Sequence, residues 1–277
     1  NVEKEGRLQQ TLHKKTLALI DDLIHGRFHA QAMFDNDFAN INWTNPMIAV
    51  LLDYVNPQSE NGYAWDRSEE LISTTIKKHL QKQFDQVIIG GNGSLFTILV
   101  SFHPRQMNEV TGQLKKSIRN MLEELEQQFG KNLFQIGVGG VYPELKQVGK
   151  SFKEANNALS IIKKFKRKGP VLFFEDIGIH RILSMIENTE EIRDFCDDFL
   201  SKLKKSDPDN ENVLLETLHV YLLYDCSIKE TANHLFLHPN TVAYRIKKIK
   251  QIIDHDLDQP EFKMAYLFAL ESMALFE

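Results

Sequence analysis

Residues 227–253, SIKETANHLFLHPNTVAYRIKKIKQII, constrain this 277-residue chain more than any other stretch. They read as two short helices joined by a tight turn. Ser227 and Glu230 have the spacing of a capping box, in which the serine caps the helix start and the glutamate reaches back. Ala232 and Leu235 are then inward positions of the first helix, and Ala232 is small enough for a neighbouring helix to come close. The chain turns through Phe236, Leu237 and His238. Pro239 suits the first turn of a new helix, where a missing N–H costs nothing. Val242, Ile246 and Ile249 recur at helical spacing as a buried stripe. The other face carries Asn240, Thr241, Tyr244, Arg245, Lys248 and, further round, Lys247. This layout predicts a helix-turn-helix whose second helix enters the major groove of double-stranded DNA.

The side chains suit that task. Arginine pairs with guanine, asparagine with adenine and the threonine methyl with thymine, while lysines suit phosphates. The expected DNA-binding set is therefore His238, Asn240, Thr241, Tyr244, Arg245, Lys247 and Lys248, with His238 capping the helix or facing phosphate. Within 227–253, five basic residues (Lys229, Arg245, Lys247, Lys248, Lys250) stand against the single acid Glu230, leaving +4 in a chain whose formal charge is -5. A basic face on an acidic protein points to a confined nucleic-acid contact. An amphipathic helix with a solvated lysine face would explain the charge. It would not explain the coincidence of box, small alanine, turn and base-reading side chains.

The words TANHLFLHPNTVAYRIKKI resemble the C-terminal DNA-binding domain of the PucR/CdaR group of bacterial transcription regulators. The matching positions are Thr231, Ala232, Leu235, Phe236, His238, Asn240, Thr241, Tyr244, Arg245, Lys248 and Ile249. Bulky Phe236 stands where many helix-turn-helix motifs use a turn glycine, a departure that this group tolerates. Residues 214–224 supply a leading helix with Leu214, Leu218, Tyr221 and Leu222 on one side. A last helix opens at Pro260 and closes the core with Phe262, Ala265, Tyr266, Ala269 and Leu270.

Upstream, residues 37–176 alternate between strands and helices. Strands are predicted at 47–54, 87–89, 96–102, 134–138 and 171–174, with a hairpin turn through Gly90, Gly91, Asn92, Gly93 and Ser94. One helix is expected to open at Asp66 with Glu69 completing its cap, burying Ile72, Ile76, Leu80 and Phe84. A second carries Met107, Val110, Leu114, Ile118, Leu122, Leu125 and Phe129 and ends at Gly130. A third is capped by Ser151 and Glu154. The order βαββαβ, extended by a further helix and strand, argues for an α+β chain: a mixed sheet with packed helices, then an all-α helix-turn-helix domain.

That order, with a Gly-Gly turn between its central strands, resembles the GGDEF fold of nucleotide cyclases. PucR/CdaR-type regulators commonly carry a degenerate domain of this kind. Such cyclases hold metal ions with carboxylates at the hairpin, because phosphoryl transfer needs charge neutralised. Here Asn92, Gly93 and Ser94 occupy those positions, and Asp53 of the first strand is a single carboxylate. The expectation is a structural or effector-binding remnant: no enzyme, no catalytic residue, no cofactor and no metal. The alternative is a nucleotide-binding sensor or residual cyclase.

Other patterns are weaker. Gly137, Gly139 and Gly140 follow a strand, but Pro143 and further loop intervene before any helix, so a strand end fits better than a dinucleotide loop. His234 and His238 straddle the bend without a nearby cysteine or acid, against zinc. Ser94 and Ser184 lack a nucleophile-elbow context. Cys196 and Cys226 have no metal or redox spacing, which suits a reducing cytoplasm, and the opening NVEKEGRLQQ is polar and charged. The longest apolar run, 47–52, is far too short to span a membrane.

The expected organisation is a connector helix in 1–36, with Leu8, Leu12, Leu19 and Leu23 as its apolar side, and a GGDEF-like domain over 37–176. A helical bridge and polar linker occupy 177–212, the linker being 202–212 around Pro208, and the DNA-binding domain is 213–277. Because the sequence opens on Asn1, an upstream sensor domain is an expectation. The family resemblance implies a small-molecule effector, such as a sugar diacid or a purine-catabolism signal. A single helix-turn-helix reads few base pairs, so a homodimer on an inverted repeat is expected.

Overall fold

The structure, a computed structural model, describes residues 2–27, 36–55, 62–164, 169–183, 186, 190–206 and 212–273, with only the backbone for 2–9, 62–64 and 66. The chain divides into two compact units, Asn1–Gly178 and Ile179–Glu277. The first is α+β and the second all-α, as the hydrophobic patterning predicts.

In the first unit, β1 (Met47–Tyr54), β2 (Gln86–Asn92), β3 (Leu95–Ser101), β4 (Phe134–Val138) and β5 (Val171–Phe173) form one sheet in the order β2-β3-β1-β4-β5. All neighbours are antiparallel except β4 and β5. Strand β1 is buried on both faces because helices cover both. Ile48, Val50 and Leu52 meet Ile72 and Ile76 of α2 (Gly62–Leu80) and Leu114 and Ile118 of α3 (Val110–Phe129). Met47, Ala49 and Leu51 meet Leu19, Ile20 and Leu23 of α1 (Val2–Ile24) and Ala155 and Leu159 of α4 (Val148–Lys164). The opening helix is therefore part of this unit's core, although Leu12 is exposed. The Leu8 side chain lies outside the described residues.

Several local expectations change. Gly90, Gly91 and Asn92 belong to β2, and only Gly93 and Ser94 turn, with Gly93 at φ 58°. Gly90 is small for packing: a Cβ there would stand 2.7 Å from Ile20 Cδ1. Helix α2 starts at Gly62, so Asp66 lies inside it, and the Asp66 side chain is outside the described residues. Helix α4 starts at Val148, which removes Ser151 and Glu154 from its cap. Ser151 Oγ instead accepts the Ala49 N–H at 3.0 Å, and Glu154 accepts from Gly140 N–H at 2.9 Å and Tyr142 O–H at 2.5 Å. Gly137 within β4 and Gly139 just after it have a third cause: a Cβ on Gly137 would stand 2.2 Å from Ala155 O, and one on Gly139 2.0 Å from Ser151 O. They let α4 lie against the strand backbone.

The second unit comprises α5 (His180–Leu183), α6 (Glu190–Ser206), α7 (Val213–Leu223), α8 (Ile228–Leu235), α9 (Pro239–Ile252) and α10 (Pro260–Ser272). Residues 202–206, read as the start of a linker, continue α6, and Pro208 lies outside the described residues. Ile192, Cys196, Leu200 and Leu203 of α6 share one core with Leu214, Leu218, Val242, Ile246, Ile249, Tyr266 and Ala269. The segment read as a bridge thus supplies a wall of the helix-turn-helix unit.

Candidate nucleic-acid interface

Helix α8 begins at Ser227, whose Oγ accepts the Glu230 N–H at 3.3 Å. Only this half of the capping box forms, because the Ser227 N–H is already donated to Tyr224 O at 2.9 Å. Thr231 and Ala232 are buried, the former donating its hydroxyl to Ser227 O at 2.7 Å. His234 shares a 2.9 Å hydrogen bond with the Tyr224 hydroxyl, so its ring is engaged within the fold. No group of His, Cys, Asp and Glu among the described residues is arranged to hold a metal ion.

The turn is closed by Phe236 in the left-handed region, φ 56° and ψ 40°, with Leu237 N–H donating to Ala232 O at 2.9 Å. This pattern ends a helix sharply and releases the chain in a new direction. His238 then caps α9, its Nδ1 accepting the Asn240 N–H at 3.2 Å, and Pro239 takes the first helical position.

On α9, Val242, Ile246 and Ile249 are buried, as their spacing predicts. Asn240, Thr241, Tyr244 and Lys247 are exposed, Tyr244 at 70%, and Lys248 is half-buried beside them. Arg245 departs from expectation. It does not lie opposite the stripe: it is half-buried, and Nη1 donates to Thr217 Oγ1 of α7 at 3.2 Å. At 100° per residue, a side chain three after Val242 and four before Ile249 sits on the flank of their stripe. Lys250 is likewise engaged, 3.2 Å from Asp258.

Helix α7, which receives Arg245, is itself anchored two residues further on. His219 Nε2 lies 2.8 Å from Glu271 Oε1 of α10, and His180 Nε2 of α5 lies 2.8 Å from Oε2. Burial pushes the Glu271 carboxyl up, but the hydrogen bonds from His180 and His219 outweigh it and hold the carboxyl at about 2.

In the first unit, Asp53 is 8% exposed at the end of β1. Its Oδ1 accepts the Ser94 hydroxyl at 2.9 Å and its Oδ2 lies 2.5 Å from Lys163 Nζ. The Asp53 carboxylate is thus paired with an ammonium from α4, while a second carboxylate, that of Glu69 on α2, lies against Gly91 of β2. Sequence reading missed Lys163, whose only signal is its place in the last turn of an amphipathic helix.

Residues 214–272 match the model of the PucR C-terminal helix-turn-helix domain, and residues 37–161 match that of the GGDEF-like domain. Among curated proteins, the proline-responsive transcriptional activator PutR of Bacillus subtilis is 27% identical over 92% of this chain and 61% of its own length. The DNA-binding transcriptional activator AdeR of the same organism is 28% identical over 52% of this chain and 34% of its own. The purine catabolism regulatory protein of that organism is 27% identical over 59% of this chain and 31% of its own. The chain therefore spans from about a third to three-fifths of the length of these relatives.

Proposed function

We propose that this chain, which carries a PucR-type helix-turn-helix domain behind a GGDEF-like domain, is a sequence-specific transcription regulator. The observation that carries the proposal is the exposed face of α9: Asn240, Thr241, Tyr244 and Lys247 with Lys248 beside them, on a helix free of acidic residues. In this reading Asn240 and Thr241 meet base edges in the major groove, Tyr244 and the two lysines take backbone and phosphate, and His238 holds the helix start. Arg245 is a positioning residue acting through Thr217. By likeness to relatives named for proline and for purine catabolism, the regulator answers to a small metabolite.

The test is selection of duplexes from a random pool by the purified chain, then binding measured against salt. One sequence should be enriched, and Lys248→Ala should lower the slope of log affinity against log salt by about one. A pool without enrichment, or an unchanged slope, would remove the reading.

We also propose that the GGDEF-like domain makes no cyclic dinucleotide. Phosphoryl transfer needs metal-holding carboxylates, and Asp53 is paired with Lys163 while Asn92, Gly93 and Ser94 supply none. Product formed from GTP or ATP with magnesium or manganese, and abolished by Asp53→Ala, would reverse this.

A further inference from the structure

Phe236 breaks two local rules at once. Its ring is 95% exposed, and its backbone sits in a left-handed conformation that bulky residues rarely enter and glycine enters freely. The turn demands that conformation, since it aligns the Leu237 N–H on Ala232 O. Glycine would serve the turn better, and at 95% exposure the ring adds nothing to the core. A side chain that opposes its local geometry without a gain inside the fold points to a contact outside it.

We propose that Phe236 is an apolar DNA contact, its ring lying against a thymine methyl and the adjoining deoxyribose at the edge of the major groove. The proposal rests on the regulator reading above. Position supports it: two residues on, His238 caps the recognition helix, and exposed Asn240 and Thr241 follow. Charge selects the occupant. No acidic residue occurs from 231 to 253, and Lys247 and Lys248 stand on the outer side of α9, whereas Arg245 is turned to Thr217 and Lys250 to Asp258. A second copy seated ring to ring would bring the lysines of two α9 helices together, whereas a polyanion complements them. Phenylalanine against the thymine methyl is an established form of base readout.

The test compares the parent chain, Phe236→Gly and Lys248→Ala on the selected duplex, made with thymine or with uracil, which lacks the methyl. Phe236→Gly should melt no lower than the parent, because the strain leaves with the Cβ. It should bind thymine DNA about fivefold more weakly, the low end of a good base contact. Its salt slope should equal the parent's, because no phosphate contact is lost. Uracil should weaken the parent more than it weakens Phe236→Gly, in which only the Thr241 methyl contact remains to be lost. Parent-like binding by Phe236→Gly, an equal uracil loss in both proteins, or a changed oligomeric mass for the variant would each overturn the proposal. If Lys248→Ala weakens binding while Phe236→Gly does not, only the Phe236 contact fails. If neither does, the regulator reading fails with it.

Discussion

Arg245 donates one guanidinium N–H to Thr217 Oγ1, and the Thr217 hydroxyl in turn donates a hydrogen bond to Val213 O at 2.7 Å. Thr217 is fully buried, so deleting Arg245 strands an acceptor site inside the fold, while deleting both partners removes the need for the bond. A double-mutant cycle of Arg245→Ala and Thr217→Val in urea should therefore give a coupling energy of about 1 kcal/mol. Base preference in the selected DNA should stay that of the parent. A coupling near zero, with guanine preference lost at one position, would return Arg245 to the base-reading set. The spacing in the sequence already held this result, since a residue three from Val242 and four from Ile249 lies on the stripe's flank. Its chemistry drew it to the DNA face in the sequence reading. The His238 cap, by contrast, was legible because a proline immediately after it marks the first helical position.

Glu271 joins three helices of the second unit through two imidazoles, His180 of α5 and His219 of α7. Its carboxyl is held at about 2 against an ordinary 4.5, with burial opposing and the two histidines prevailing. A depressed carboxylate stabilises the fold fully above the unfolded value. That contribution, of the order of 3 kcal/mol, is lost as pH falls from about 4.5 towards 2. Glu271→Gln should unfold more easily than the parent at neutral pH and flatten the stability profile across that window. A variant whose profile runs parallel to the parent's would show that Glu271 does not carry this dependence. At the scale of elements, periodicity made most helices and strands legible, because burial at steps of three and four, or of two, reports the core directly. Helix starts were less legible. Ser151 and Glu154 have cap spacing, yet one bonds the Ala49 N–H of β1 and the other the loop after β4, contacts with other segments of the fold that cap spacing does not reveal. Gly90 and Gly91 looked like a turn, but Gly90 is what α1 requires of a strand it packs against closely.

The molecule's two units differ in what their sequences reveal. The opening helix and α6 were both read as connections because each shows an apolar stripe and no obvious partner. A stripe says that a face is buried and not against what. The structure buries Leu19, Ile20 and Leu23 in the first core and Ile192, Cys196, Leu200 and Leu203 in the second. Those faces are therefore covered within each unit. On the proposed regulator reading, the argument for a second copy comes from the DNA. With Arg245 committed to Thr217, the proposed reading leaves exposed Asn240 and Thr241 as the main base-reading groups of α9, enough for only a few base pairs. A genome offers about a million or more competing sites, which so short a readout cannot resolve. Two copies related by a two-fold axis double the readout and require an inverted repeat with half-sites about 10 base pairs, or a multiple, between centres. Sedimentation of the chain with the selected duplex should give two protein chains per DNA, and footprints should protect both half-sites together. One chain per duplex with a single protected half-site would exclude the dimer. Specificity would then have to come from contacts outside α9.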